Sequence, residues 1–182
     1  LQGIAIVFTL LNNKIIMNEQ LLDYVQFNLW ANKHFTSMLD KLDAEQWHTT
    51  IAGSFESIHK TVSHIYFAES IWNQRMAMTD PVIVPTDSDF TNAKDLCAAW
   101  LAQSEKLVQF VKQQKRSDWY THELSYRDIK KIQHKSALQH IIWHVCNHGT
   151  FHRGQLVNFM RAVGVASIMQ TDFITYKRQQ KK

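Results

Sequence analysis

The sequence predicts an all-α protein: a four-helix bundle with a short irregular or extended excursion before its last long helix. Three observations carry this expectation. Five glycines and two prolines in 182 residues leave long stretches without a helix breaker. Four segments place apolar residues at helical spacing, each giving one stripe to bury against the others. Ten Phe and six Trp supply large side chains for the interior between them.

The first helix is expected from about Asn18, a candidate N-cap, to Lys41. Its stripe is Leu21, Leu22, Val25, Leu29, Phe35, Met38, Leu39 and Leu42. The second runs from about Phe55, after Gly53-Ser54, to Met78 before Asp80-Pro81, with Ile58, Val62, Ile65, Ala68 and Trp72 inward. A Pro- and Asp-containing loop leads to Thr91, the expected cap of a third helix ending near Gln114. Between Ser117 and Lys135 the alternation of Trp119, His122, Leu124, Tyr126 and Ile129 suggests an extended excursion or short hairpin. The fourth helix is expected from about Ala137 to Val163, with Ser136 and Gln139 as a capping box and Gly164 as the stop.

Residues 17–182 are read as a single bundle domain, a length sufficient for a sizeable core. Residues 1–16, LQGIAIVFTLLNNKII, read as an extension upstream of Met17; a signal or packing segment is the alternative, and the run is too short to span a bilayer. A formal charge of +4 is modest, and no face interleaves basic and aromatic residues, so neither nucleic acid nor membrane is an expected partner. The basic tail Lys177–Lys182 is expected to stay solvated and disordered rather than contact nucleic acid or anionic lipid. Two cysteines, Cys97 and Cys146, form neither a disulfide framework nor a CxxC site, which fits a reducing cytoplasm.

The chemistry concentrates in His140, His144, His148 and His152, four apart along HIIWHVCNHGTFH. Neighbouring rungs share a helix face, so two imidazoles can meet one metal ion. The face drifts, because each four-residue step rotates by about 40°. Measured from the stripe of Leu138, Ile141, Ile142, Val145, Leu156, Phe159, Met160 and Val163, His152 lies about 20° off and His148 about 60°. His144 lies near 100° and His140 near 140° at the same pitch, so only His148 and His152 face inward, while His144 is a flank position or a support for a ligand. Inward imidazoles need partners for both ring nitrogens, and a metal ion is one such partner. The second helix offers His59, on a polar side, and His64, beside Ile65, Ala68 and Trp72; His64 is the better third ligand. Three neutral histidines suit zinc or nickel and leave a coordination position open. Gly149 follows His148, so the HExxH zinc-protease arrangement is absent. His34, His48, His122 and His134 have no partner at ligand spacing and read as surface or cap residues. Trp30, Phe67, Trp72, Trp143 and Phe151 read as core, though some must wall any site.

The segments YVQFNLWANKHF, GSFESIHKTVSHIYFAESIW, HVCNHGTFHRGQLVNFMRAVG and TDFITYKR resemble the DinB/YfiT-like superfamily of metal-dependent enzymes. The resemblance covers about Met17 to Arg178. It implies an up-down-down-up bundle and a divalent metal held by His64, His148 and His152. It also implies structural support from Arg153 and Gln155, with Asn28, Asn32 and Glu69 lining or buttressing the pocket, and a homodimer. Related families include S-transferases that use low-molecular-weight thiols, and isomerases or hydrolases of thiol conjugates. A metal that lowers the pKa of a thiol, or of water, would serve either chemistry on a small-molecule substrate without a protein carboxylate. A non-catalytic bundle that binds a metal or small ligand is the alternative. Nucleic-acid repair is suggested only by the origin of the family name, and the weak charge argues against it.

Overall fold

The computed structural model describes residues 2–79, 81–86, 89–90 and 92–180, with side chains placed from residue 15 onward. The elements are α1 (Gln2–Leu39), α2 (Ala44–His48), α3 (Ile58–Met76), α4 (Ala93–Lys112), a 3-10 turn (Trp119–Thr121), β1 (Glu123–Arg127), β2 (Gln133–Ala137), α5 (Leu138–Ala162) and α6 (Phe173–Gln179). The long helices α1, α3, α4 and α5 form the expected bundle. Pairings between side chains give their directions. Tyr24 bonds Asn147 and Asn32 bonds Arg153, so α1 and α5 run parallel. Asn18 bonds Ser117 just beyond α4, and Asn32 bonds Ser104, so α1 and α4 are antiparallel. His64 meets His148 while Trp72 meets His144, so α3 opposes α5. The order is therefore up-down-down-up.

Several ends differ from the expectation for local reasons. Asn18 is no cap: α1 continues upstream to Gln2, and the Asn18 amide donates instead to the Ser117 carbonyl at 3.2 Å. The second long helix starts three residues later than Phe55, because the Ser57 side chain accepts from Lys60 N–H and caps it. Asn92 caps α4 by accepting from Asp95 N–H; Thr91, the expected cap, lies outside the described residues. The excursion is an antiparallel hairpin with Glu123 opposite Ala137 and Arg127 opposite Gln133. It replaces the expected capping box on α5: Ser136 belongs to β2, and the Leu138 N–H is satisfied by the His122 carbonyl at 2.9 Å. Gly164 does stop α5, at a φ of 91°. Its N–H bonds the Arg161 carbonyl and the Val165 N–H reaches the Met160 carbonyl at 2.9 Å, a Schellman arrangement. The basic tail is helical rather than disordered through Gln179, although Arg178, Gln179 and Gln180 are exposed as expected; residues 181–182 lie outside the described residues. Phe173 and Tyr176 on α6 pack with Phe27 and Trp30, and Lys177 pairs with Asp23 at 2.8 Å. No described helix is long and apolar enough to cross a membrane.

The interior divides into two apolar halves. One, toward the hairpin, holds Leu21, Val25, Leu107, Val111, Trp119, Ile141 and Val145. The other holds Phe35, Leu39, Trp47, Ile58, Ile65, Trp100, Leu156 and Met160. Between them lies a polar layer with one or two members from each long helix: Asn28 and Asn32, Glu69, Ser104, and Arg153. The Glu69 carboxylate accepts from Asn28 (3.0 Å), Asn32 (3.1 Å) and the Ser104 hydroxyl (2.7 Å). Arg153 donates to the oxygens of Asn28 (2.8 Å) and Asn32 (2.6 Å), and to Thr150 (2.8 Å). Burial raises the Glu69 pKa and lowers that of Arg153 to about 10, while Arg153 still favours the Glu69 carboxylate. A Cβ at Gly149 would come within 3.0 Å of the Arg153 guanidinium and 3.1 Å of the Asn28 oxygen. Glycine therefore leaves the layer room to close.

Removing one charge strands the other in a site that excludes water. Arg153→Met should cost about 3 kcal/mol or more of unfolding free energy in urea titration, against well under 1 kcal/mol for exposed Arg161→Met. Equal losses would deny the layer its role.

Candidate metal centre

At the level of the polar layer, the seam between α3 and α5 gathers three histidines. His148 Nε2 lies 2.9 Å from His64 Nε2 and 3.1 Å from His152 Nε2, and the three ligand atoms fall within 4.8 Å of one another. Four ligands about 2.0–2.1 Å from a tetrahedral ion stand roughly 3.3 Å apart, so this spacing suits one ion with little adjustment. The cluster could hold a metal ion. His152 is almost fully buried, and His64 and His148 are half-buried at the rim.

The rings are oriented for ligation. Gln155 Oε1 lies 2.8 Å from His152 Nδ1; an amide oxygen only accepts, so the proton sits on Nδ1 and the Nε2 lone pair points to the cluster. Phe55 stacks on His64 with ring centres 4.1 Å apart and meets His152 edge-on at 5.3 Å. The late start of α3 makes this contact possible, because Phe55 lies before the cap and folds back over the helix it precedes. Burial first, then the neighbouring imidazoles, push the pKa down to about 4 for His64 and about 3 for His148. Burial lowers that of His152 as well, against the Gln155 bond. All three are neutral near pH 7, the state that ligates.

The remaining histidines stand apart from the cluster. His140 is exposed. His144 lies on the flank, 5.8 Å from His148 and edge-on to Trp72 at 5.5 Å. The rings of His48 and His59 meet at a tilt with centres 4.9 Å apart, His34 bonds the Trp30 carbonyl, and His134 pairs with Asp128. His122 is exposed. Phe151, expected in the core, is 64% exposed and touches His152 edge-on, so it forms the rim of the site. Trp143 is likewise at the surface. Helical periodicity singles out neither Phe55 nor Gln155: Gln155 is signalled by the family resemblance, and the only signal for Phe55 is an aromatic two residues before a capping serine.

Unfolded imidazoles titrate near about 6.5, and the native cluster resists protonation well below that. The unfolded state therefore binds more protons between about pH 6.5 and 4, and native stability falls as pH drops through this window. The melting temperature of chelator-treated protein should be flat above pH 7 and decline steadily toward pH 5, with a shallower decline in His148→Asn. An unchanged slope in that variant would contradict the assignment.

The chain matches the family model described as DinB family over residues 17–182. It is 27% identical over 161 residues to Protein DinB of Bacillus subtilis (strain 168), covering 83% of this chain and 90% of that protein. The crystal structure of a DinB-like protein from Bacillus cereus ATCC 10987 superposes with a TM-score of 0.59 at 20% identity, covering 80% of this chain and 95% of that one. At that identity the structural likeness speaks for the fold alone. The family match extends over all but the first sixteen residues, and the chain belongs to the DinB family.

Proposed function

We propose that His64, His148 and His152 hold a divalent cation, zinc or nickel, and that the protein is a metal-dependent enzyme acting on a small molecule. The reaction we favour is transfer to a low-molecular-weight thiol, with hydrolysis as the related outcome. The observation that carries this is the convergence of three neutral imidazoles at a half-open seam, with no carboxylate in the cluster among the described residues. The nearest functional carboxylate on α3, Glu69, is committed to Asn28, Asn32 and Ser104 inside the bundle. Among the described residues, none stands ready to serve as a carboxylate base at the metal.

When bound, the ion would supply Lewis acidity, lowering the pKa of a thiol or water placed beside it. The chain supplies the rest. Gln155 fixes the His152 tautomer, Phe55 and Phe151 keep bulk water from two sides, and the polar layer holds α3 and α5 in register. The three-histidine set leaves a coordination position for the reacting group.

Elemental analysis of purified protein should give one zinc or nickel per chain, and His64→Ala, His148→Ala and His152→Ala should each weaken retention by at least about tenfold. Full occupancy in all three variants would overturn the ligand set. Loaded protein should consume a thiol and an electrophile from a test panel, and chelation should abolish it. Tight retention of a ligand without turnover would instead identify a binding protein.

A further inference from the structure

A line of contacts leaves the histidine cluster toward the hairpin. On α3, His64, Ala68, Ile71, Trp72 and Arg75 follow one another along one face. On α5, His148 is followed by His144, which meets Trp72 edge-on at 5.5 Å. Tyr126 of β1 then packs edge-on against Trp72 at 4.9 Å. The Arg75 guanidinium lies over both rings, 4.6 Å from the Trp72 centre and 5.1 Å from that of Tyr126. His144 is exposed, and Trp72, Tyr126 and Arg75 are each part-exposed, so this strip can be reached from solvent.

Arg75 is held without an ion pair among the described residues, although the charge of Asp128 acts on it from a distance. One nitrogen, Nη2, donates to the Arg127 carbonyl at 2.7 Å, which with the two rings fixes the plane of the guanidinium. No carboxylate among the described residues lies within ion-pair distance of it. The nearest acid in the hairpin, Asp128, spends its carboxylate on the N–H groups of Lys130 and Ile132 and on His134. A guanidinium presents five N–H donors in a fixed fork, and a fork stacked on aromatic rings with donors to spare suits a carboxylate.

We infer that Arg75, backed by Trp72 and Tyr126, is a carboxylate-recognition subsite at the far end of the solvent-accessible strip that starts at the histidine cluster. The inference rests on the metal-centred reading above and narrows its substrate class. From His64 to Arg75 is eleven residues of helix, about 16 Å at helical rise. The substrate is thus an elongated low-molecular-weight acid, with its thiol or thiol-derived centre at the histidines and its carboxylate at Arg75. His144 and Trp72 lie alongside its middle.

The test uses zinc-loaded protein and a ladder of probes, N-acetyl-Cys-(Gly)n with one to five glycines, each as the free acid and as the C-terminal amide. Binding is measured by calorimetry. The acid should bind about tenfold more tightly than the amide once the chain is long enough to span the strip, about three to four glycines, and equally with it at one glycine. Arg75→Gln should erase the difference, and Arg75→Lys, which keeps charge but loses the fork, should restore only part of it. Zinc content of both variants, expected unchanged, shows that the bundle has folded. A Ser-for-Cys version of the long probe should keep its acid-over-amide preference while binding more weakly overall. Equal binding of acid and amide at every length, or a preference that survives Arg75→Gln, would overturn the subsite. Equal binding of the Cys and Ser probes with the carboxylate preference intact would leave the subsite standing and count against the metal-centred reading alone.

Discussion

The buried polar layer of Asn28, Asn32, Glu69, Ser104 and Arg153 is the constraint on which the rest of the molecule depends. Apolar stripes alone do not fix how far one helix has slid along another, because one turn of slippage still buries most of the same surface. A carboxylate and a guanidinium linked through two asparagines do fix it. Each has a single arrangement in which its donors and acceptors are met, and any other leaves charge unpaired away from water. The layer draws on all four long helices, so one network sets their relative heights together.

The site follows from that register. Arg153 is the residue after His152, Gly149 is the residue after His148, and Glu69 stands little more than one turn beyond His64. The inner face of α3 and α5 carries the network while the adjoining face carries the imidazoles, so closing the layer brings three Nε2 atoms from two helices together at the seam. Burial within the same seam keeps the imidazoles neutral, and Gln155 settles which nitrogen of His152 is free. The chain thus builds a cluster of one chemical type, three imidazoles that could hold a metal ion.

Most of the bundle was legible in the sequence because amphipathic stripes have a period. Phe35, Leu39, Ile58, Val62, Leu156 and Met160 could each be placed inward from spacing alone. The same arithmetic separated His148 and His152 from His144 and His140 on one helix. Topology was not legible from periodicity, since the pairing of Asn32 with Arg153 across α1 and α5 has no local sequence signature. Helix ends were the other loss. Asn18 and Ser136 have side chains that cap well, but the upstream turns of α1 and the pairing of β2 had already met the needs those caps would serve. The order of the tail escaped for a similar reason: its charges suggest disorder, whereas the apolar contacts of Phe173 and Tyr176 anchor α6 and leave Arg178 to Gln180 helical or adjoining it yet exposed.

Register set inside the bundle creates a three-imidazole centre at its surface. X-ray absorption at the edge of the bound metal tests this most directly, because it reads the first coordination shell without reference to activity. The account predicts three imidazole nitrogens at about 2.0–2.1 Å, with the remaining positions filled by oxygen from solvent. A shell built from carboxylate or thiolate ligands, or one with fewer than three imidazoles, would contradict it.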